Sequence, residues 1–372
     1  MIRAHKIRLN PTPEQEVYFR KAAGTARFVY NWALDQWQTV YAEHPGTPYG
    51  MMAAKKDFNA LKAGQFPWVY DVAKDIAEGA FTNVAAALKN YFASKSGKRK
   101  GEKVGFPRFK SKKRSKLSFR LNNDRFSVQD HQIYLPKLGW VNMTEALRFQ
   151  GHILGAVVSK VADWWCVSIQ VDVEPPPSVH FAYASVGVDL GVKTLATLSD
   201  GTQFENQKLL RRQLNRLRRL SRALSRRTPG SHRWWRAQRK LARFHAHMQH
   251  ARQDYTHKIT TAMARTYRLI GVETLHLKGM VKNRRLALSI AEASLGDIVR
   301  QLTYKAAGCG GHVVKVGRFF ASSKTCSQCG HVNRTLTLAD RTWTCGGCGL
   351  IHDRDWNAAT NIEAEALRLV EA

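Results

Sequence analysis

The hydrophobic and polar positions in the first half of the chain change period twice, and each change predicts a different kind of element. Residues 3–9 alternate as a short basic strand. Helical spacing follows over residues 12–94, and Thr12 with Gln15 forms the side-chain pair of a capped helix start. Strand-like alternation returns over residues 117–173. The pattern therefore predicts a small helical domain between a short first strand and a later β-rich region.

A second lobe is expected after the proline triplet Pro175–Pro177, which predicts a stiff linker and the main domain boundary. Residues 185–201 have the alternation of a strand pair that leads into an Asp200-Gly201 turn. Two long helices are predicted next, separated at Pro229-Gly230. Their apolar stripes predict a packed helical hairpin, which leaves the arginine-rich faces available to a partner.

The charge of the chain is strongly unbalanced. Its 372 residues include 59 Lys and Arg against 28 Asp and Glu, so the net charge is +31 at pH 7. Because this charge repels itself in the folded state, a polyanionic partner is the natural explanation, and a merely soluble, highly charged surface is the alternative. A membrane partner is not expected, because the sequence has no run of about 18 apolar residues and no amphipathic anchor. The opening residues do not resemble a signal peptide, which predicts a cytoplasmic protein.

Two basic segments are candidate contacts for a polyanion. Residues 95–120 hold twelve Lys or Arg and one acid, Glu102, interleaved with phenylalanines. A solvated run of charge would normally lack those aromatics, so we favour a segment that follows nucleic-acid phosphates. The second segment is the arginine-rich helix after Asn206. The candidate nucleic-acid-binding residues are Lys110, Lys112, Lys113, Arg114, Lys116, Arg211, Arg212 and Arg218.

Three acids stand in otherwise apolar elements. Asp189 lies in an alternating strand with Gly187 and Gly191 nearby, so its carboxylate is expected on a face where small neighbours leave room for a metal. Glu273 ends a second buried strand. Asp355 lies one step inside a helix that is expected to begin near Asp353. We expect Asp353 to cap that helix and Asp355 to project towards the sheet, although a part for Asp353 at the metal stays open.

Buried carboxylates predict a positive partner, because burying them without compensation is costly. Three carboxylates on three apolar elements could converge on Mg²⁺ or Mn²⁺, whose hard charge prefers oxygen ligands. Such ions would activate water for phosphodiester hydrolysis. The candidate catalytic and magnesium-binding residues are therefore Asp189, Glu273 and Asp355. The alternative is that these are unrelated surface or capping acids.

Four cysteines form a separate and more specific signal. Cys326 with Cys329, and Cys345 with Cys348, make two CxxCG knuckles. Four thiolates at this spacing suit tetrahedral Zn²⁺, and a closed four-cysteine shell leaves no open coordination position. We therefore predict one structural zinc ion. The alternative, a pair of disulfides, is not expected in a cytoplasmic protein.

Taken together, these motifs resemble the TnpB family, also called the OrfB transposase family, and the related compact type V CRISPR effectors. The resemblance runs along nearly the whole chain. Its motifs are RFVYNWAL from Arg27, FPRFK from Phe106, GVDLGV from Gly187, GVETL from Gly271, SSKTCSQCG from Ser322 and HDRDWNAATNI from His352. In that family the three acids and the four cysteines occupy the positions singled out above. Trp356 is bulkier than the aliphatic residue expected after the DRD triplet.

The resemblance implies a multidomain α+β protein with a helical recognition domain, a β-barrel wedge domain and an RNase H-like (RuvC) α/β nuclease domain that carries an inserted zinc ribbon. The amino-terminal lobe would span residues 1–175. The implied domains are strand 1–10 with wedge 117–175, recognition insert 11–116, nuclease 181–318 with 350–372, and zinc-binding, target-nucleic-acid-binding module 319–349.

The resemblance also implies a function, RNA-guided cleavage of DNA. A guide RNA from the transposon end would pair with double-stranded target DNA next to a short transposon-adjacent motif. Independently of the resemblance, the charge fits, because an RNA scaffold and an RNA–DNA heteroduplex need a long cationic channel.

Three other functions compete with this one. A DNA transposase would use the three acids for strand transfer, although the zinc knuckles between the second and third acids favour the RuvC-like nuclease. A guide-directed DNA-binding repressor would be expected to lose one or more acids, and all three positions are filled here. A plain zinc-containing transcription factor would leave Asp189 and Glu273 unexplained.

Overall fold

The structure, a computed structural model, describes residues 1–44, 49–99, 101–174, 179–337 and 339–371. The chain divides into two compact units, Met1–Glu174 and Pro175–Ala372. The proline triplet predicted as the linker lies outside the described residues. In the described part of the chain, no helix is long and apolar enough to cross a membrane.

The first unit combines helices with an antiparallel sheet whose strand order is β2-β6-β7-β1-β5-β4-β3. Its elements are β1 (Ile2–Asn10), α1 (Pro13–Glu43), α2 (Met51–Gln65), a 3₁₀ turn (Pro67–Asp71), α3 (Lys74–Lys95), β2 (Ser118–Asn122), β3 (Ser127–Gln129), β4 (Gln132–Leu135), β5 (Gly139–Met143), β6 (His152–Val161) and β7 (Trp164–Asp172). The helices thus lie between the first and second strands of the sheet in sequence, as the change of period predicts.

The start of α1 is fixed by the predicted cap. The backbone N–H of Gln15 donates to Thr12 Oγ1 at 3.3 Å, and the backbone N–H of Thr12 donates to Gln15 Oε1 at 3.0 Å. These two bonds satisfy N–H groups that an open helix end would leave without partners. The helix can therefore begin directly after β1 and place Phe19 against the sheet, where its ring lies 5.1 Å from that of Trp165.

The second unit is an α/β layer structure around a sheet with the order β10-β9-β8-β11-β12. Its elements are β8 (Tyr183–Leu190), β9 (Thr194–Leu198), β10 (Gln203–Glu205), α4 (Leu209–Arg212), α5 (Leu214–Ser225), α6 (His232–Thr266), β11 (Tyr267–Glu273), α7 (Leu277–Lys282), α8 (Ala287–Ala293), α9 (Leu295–Cys309), β12 (His312–Val316), β13 (Thr342–Thr344), β14 (Ile351–Asp353) and α10 (Arg354–Glu371). Strands β8, β9 and β10 pair antiparallel, whereas β11 is parallel to both β8 and β12.

The two faces of this sheet carry different helices. Val188 and Val272 are fully buried in the core that α6 and α9 share with the sheet. Because successive residues of a strand point to opposite faces, Gly187 and Gly271 turn towards α10 instead. A side-chain carbon at Gly187 would stand 1.9 Å from the carbonyl oxygen of Ala359 in α10. The room expected beside Asp189 at Gly187 is therefore filled by the backbone of α10, and the prediction that this glycine leaves space for a metal is wrong.

Helix α10 begins as the sequence predicts, with one addition. The backbone N–H of Trp356 donates to Asp353 Oδ1 at 2.9 Å, which confirms Asp353 as the cap. Residues 351–353 also form strand β14, which pairs antiparallel with β13. The helix is thus fixed at its first turn to the cysteine-containing segment that precedes it.

The close approach at Gly187 gives a stability prediction. We expect Gly187→Ala to lower the free energy of unfolding by about 3 kcal/mol, because the added methyl group meets helix backbone rather than a side chain that can move. Urea unfolding of both proteins measures the difference. The matched control is Gly317→Ala in the same unit, where nothing lies within 4 Å of the added carbon, and a change below about 0.5 kcal/mol is expected. Equal loss in both variants would contradict the packing argument.

Candidate functional site

The sheet and α10 bring the three predicted acids to one place. Asp189 is the penultimate residue of β8 and Glu273 the last residue of β11. These strands are parallel neighbours in which Val188 pairs with Val272, so the two acids lie side by side on the face towards α10. Asp355 is in the first turn of that helix. Acids separated by 84 and 82 residues in sequence thus share one end of the sheet.

Burial and mutual repulsion both act on Asp189. Removal of this carboxyl from water raises its pKa most, the negative charges of Glu273 and Asp355 raise it further, and Arg354 and Arg341 lower it, so that the pKa of Asp189 is about 8. A carboxyl with an ordinary pKa near 4 would be fully ionised at neutral pH. The site therefore holds more negative charge than its surroundings stabilise.

Two of the acids already have partners. The carboxylate of Asp355 accepts a bond of 3.1 Å from Arg341 and one of 3.0 Å from its neighbour Arg354. Glu273 accepts a bond of 2.8 Å from the hydroxyl of Ser322. These contacts orient both carboxylates, and the two guanidinium groups supply part of the positive charge that the site needs.

The three side chains at this site are of the kind that binds a hard divalent cation. All three groups are carboxylates, which Mg²⁺ and Mn²⁺ prefer, and the repulsion felt by Asp189 is what such a cation would relieve. Within the described residues, the four cysteines are the group whose ligand atoms all lie within 4.8 Å of one another. The carboxylate oxygens are spread more widely, so a shared ion would have to draw them together.

Two asparagines of α10 hold the segment after β12 in place, and the sequence reasoning missed them. Asn361 Nδ2 donates to the carbonyl oxygens of Ser322 at 2.7 Å and Thr325 at 2.6 Å. Asn357 binds Thr325 O at 2.8 Å and accepts from the backbone N–H of Ser327 at 2.9 Å. Their spacing of four residues on a predicted helix was the available signal, because it places both on one helix face.

The four cysteines form the predicted cluster. The Sγ atoms of Cys326 and Cys348 lie 3.7 Å apart, and those of Cys329 and Cys345 lie 3.5 Å apart. Four sulfurs at about 2.3 Å from a tetrahedral zinc would be separated by about 3.8 Å, whereas disulfide sulfurs lie about 2.05 Å apart. The arrangement fits a metal such as zinc and does not fit two disulfides.

Backbone groups in the second knuckle favour the thiolate that a metal requires. The N–H groups of Cys348 and Gly347 donate to Cys345 Sγ and, together with the contacts to the Cys329 and Cys326 sulfurs, lower the pKa of this thiol to about 6. The buried ring of His352 lies against the cluster, with Nε2 3.0 Å from Cys326 Sγ. Hydrogen bonds of this kind stabilise negative sulfur and orient it towards a metal.

The predicted nucleic-acid contacts of the first unit differ in exposure. Lys112, Lys113, Arg114 and Lys116 are exposed. Lys110 is half-buried, with its ammonium 3.7 Å from the centre of the Tyr30 ring, and burial lowers its pKa. The exposed four residues are therefore free to reach phosphates, whereas Lys110 is held inside the unit.

A basic pocket of about 570 Å³ lies beside Lys110 in the first unit. Arg27 from α1 and Arg120 from β2 line it together with Lys110 and Lys116, and no acid lines it within the described residues. The sequence reasoning did not bring Arg27 and Arg120 into this set, because they are separated by 93 residues and meet only through the packing of α1 and α3 on β2.

The predicted contacts of the second unit lie on two short helices. Arg211 is on α4 and Arg218 is on α5, and both are exposed, as is Arg212. Arg211 is also tied to the unit itself, because its backbone N–H donates to Glu292 at 3.0 Å and its guanidinium to the Ser289 hydroxyl at 2.9 Å. Arg212 and Arg218 are left as the freer of the three cations.

Three family profiles match successive segments of this chain. Residues 168–284 match the profile of a family described as "Probable transposase" (OrfB, IS605 type). Residues 296–362, which include the cysteine cluster, match a Cas12f1-like TNB domain, and residues 1–45 match a helix-turn-helix profile. In the structure, residues 1–44 form β1 and the single long helix α1.

Relatives that align over nearly the whole chain share one description. A protein of Streptomyces pristinaespiralis named as an RNA-guided DNA endonuclease is 33% identical, over 98% of this chain and 89% of its own. An Escherichia coli K12 protein of the same description is 31% identical, over 98% of this chain and 92% of its own. A solved structure described as the mini-RNA-guided endonuclease CRISPR-Cas_phi3 aligns with 100% of this chain and 92% of its own at a TM-score of 0.50. The sequence identity is 9%, so this likeness shows a shared fold alone.

The cysteine cluster gives a prediction about metal and folding. We expect chelator-washed protein to retain one zinc per chain by metal analysis. Cys345→Ser should remove that zinc and reduce the yield of folded protein, because the substitution removes one of four thiolates and the sulfur that the backbone N–H groups bind. Cys309→Ser, which changes a cysteine outside the cluster, is the matched control and should retain the zinc. Well-folded protein without zinc would contradict the assignment.

Proposed function

Because this chain belongs to the TnpB (OrfB) family, we propose that it is an RNA-guided DNA endonuclease of an insertion-sequence transposon. The observation that carries the proposal is the site itself: Asp189 and Glu273 on adjacent parallel strands, with Asp355 on the helix across them. A family name alone would not distinguish an active nuclease from a binding protein. A site that gathers three carboxylates in excess of the positive charge around it supports metal-dependent hydrolysis.

We assign the metal to the three carboxylates. Asp189, Glu273 and Asp355 would hold Mg²⁺ or Mn²⁺, which supplies an activated water and stabilises the charge that develops on the leaving 3′ oxygen. Arg341 and Arg354 pair with the Asp355 carboxylate and orient it. Since Asp189 takes up a proton below about pH 8 in the metal-free chain, metal affinity should fall as the pH falls through this value.

We propose that the domains follow the family's arrangement. Residues 181–318 with 350–372 would form the RuvC-like nuclease, and the mixed parallel and antiparallel sheet with helices on both faces supports this. Residues 319–349 would form the zinc-binding module that contacts target nucleic acid. In the first unit, strand 1–10 and residues 117–175 would form the β-barrel wedge, and residues 11–116 the helical recognition insert.

The zinc is proposed to be structural. Four cysteines complete its shell, so no coordination position is left for a water or a substrate. The hydrogen bonds from Asn357 and Asn361 to the residues that lead into the first knuckle connect the module to α10. Zinc would therefore act on cleavage through the position of that helix.

The partners are proposed to be a guide RNA from the transposon end and double-stranded target DNA next to a short transposon-adjacent motif. The net charge of +31 supports two polyanionic partners, and the exposed cations at 112–116 and on α4 and α5 are the proposed backbone contacts. Base pairing with the guide would then supply the sequence specificity. Such a complex acts on chromosomal DNA, so we place it in the prokaryotic cytoplasm, at the nucleoid.

A DNA transposase is the second candidate, and the family description favours it. The same three carboxylates could serve strand transfer, because the metal chemistry is shared. The two functions differ in the attacking group, which is water in hydrolysis and a DNA 3′ hydroxyl in transfer. Sequencing the products separates them, since only transfer joins the element's ends to new DNA.

The carboxylate site gives a prediction about cleavage. We expect Asp189→Ala, Glu273→Ala and Asp355→Ala each to abolish cutting of guide-matched DNA while target binding stays within about threefold, because the acids hold the metal and not the nucleic-acid backbone. Gel analysis of cut DNA and a binding titration with the co-purified RNA measure the two effects. Asp353→Ala is the matched control and should still cut, because Asp353 caps α10. Wild-type cutting by all three acid variants would refute the nuclease assignment.

The exposed basic segment gives a prediction about salt dependence. Lys112, Lys113, Arg114 and Lys116 all replaced by Gln should weaken RNA and target-DNA binding almost equally for different guide sequences. The log–log slope of affinity against salt should flatten by roughly one unit for each phosphate that the variant no longer binds. Salt titrations measure both. A variant with each Lys changed to Arg and Arg114 changed to Lys retains the charge and should keep the wild-type slope. An unchanged slope in the Gln variant would mean that the segment is solvated surface.

A further inference from the structure

A groove of about 540 Å³ opens beside Glu273 in the second unit. Glu273, the last residue of β11, and the following Thr274 form part of its lining. Val299, Arg300 and Tyr304 of α9 form one wall. Its volume is in the range of about 300–1,000 Å³ that small-ligand clefts occupy. The groove is therefore large enough for part of a substrate and continuous with one of the three carboxylates.

Helix α9 presents two chemically different faces. Leu302 is fully buried against the sheet, and Lys305 donates to the carbonyl oxygen of His257 and the hydroxyl groups of Thr260 and Thr261, each at 2.8 Å. These contacts fix the rotation of the helix. Arg300 and Tyr304, four residues apart, consequently point into the groove, and 47% of Tyr304 is exposed.

The groove combines an aromatic surface with positive charge. Lys315 on β12 lines it together with Arg300, and Glu273 is the one acid in its lining among the residues the structure describes. Arg300 is paired with Asp297 at 3.1 Å on an exposed surface, a kind of ion pair that contributes little and can be exchanged for another anion. Cations beside a ring suit a ligand with both a phosphate and a flat base.

We propose that this groove binds one unpaired nucleotide of the DNA strand that is being cut, with its base stacked on Tyr304 and its phosphate beside Lys315 and Arg300. The proposal rests on the proposed function, because it takes the carboxylates as the place of cleavage. A nucleotide held there would place a neighbouring phosphate at Glu273. A duplex cannot enter in this way, since its bases are already stacked on one another.

Tyr304 is therefore a positioning residue. A stack on its ring accepts any base, because every base has an aromatic face, so the groove adds position without adding sequence preference. This division suits an enzyme in which a guide supplies the specificity. The hydroxyl group is not needed for the stack, and Phe should replace Tyr304 without loss.

The test uses the RNA-loaded protein and matched DNA that carries the fluorescent base 2-aminopurine in turn at successive nucleotides of each strand, along the guide-matched sequence and its flanks. The Asp189→Asn background prevents cleavage during the measurement. At one labelled position we expect the fluorescence to be quenched in this background and with Tyr304→Phe added, and to recover with Tyr304→Leu added. In protein with Asp189 intact, Tyr304→Leu and Lys315→Gln should slow single-turnover cutting roughly ten- to a hundredfold, and Tyr304→Phe should cut at the wild-type rate.

The outcomes separate the two proposals. If the Leu and Phe variants give the same fluorescence at every position, the groove does not stack a base and the inference is overturned, whatever the cutting rates are. If the fluorescence responds as expected but protein with Asp189 intact does not cut, the nucleotide site stands and the proposed nuclease function fails. Thermal unfolding and target-DNA binding of each variant show that the fold and the loaded complex are retained.

Discussion

The contact of the last helix with the central sheet is the constraint on which the second unit depends. At Gly187 and Gly271 the strands β8 and β11 carry no side chain on the face towards α10, and atoms of the helix lie where those two side chains would stand. Only this close approach lets the first turn of α10 bring Asp355 to Asp189 and Glu273. The site is thus built by removing side chains from two strands as much as by placing three acids.

That approach places three carboxylates close together, and two arginines from different segments offset part of their negative charge. Burial of Asp189 and the negative charges of Glu273 and Asp355 beside it raise the pKa of this carboxyl. Arg354 comes from α10 itself, whereas Arg341 comes from the cysteine-containing segment. Arg341 lies four residues before Cys345. The folding of the cysteine-containing segment therefore determines whether the Arg341 guanidinium reaches the carboxylates.

The sequence was most informative where the signal is local. Strand alternation ending in Glu273, a cap at Asp353 and two cysteine knuckles each need only a few neighbouring residues, and the structure has the elements they predict. Helix α9 and strand β12 were not predicted, and neither was the bond between Ser322 and Glu273, which are 49 residues apart. Such contacts depend on how the elements pack, and the packing follows from the whole sheet rather than from any one segment.

The distribution of charge explains why binding and cutting can be separate properties of one protein. With a net charge of +31, the chain attracts a phosphate backbone over long distances, and salt screens that attraction. The end of the sheet that carries the three acids gathers carboxylates within this positive field. On the proposed function, a phosphate drawn to the protein would meet these carboxylates where it is to be hydrolysed, and a bound cation would offset their charge. On the same proposal, the affinity for nucleic acid would rest on many distributed cations, whereas cleavage would rest on three carboxylates and the metal that they hold.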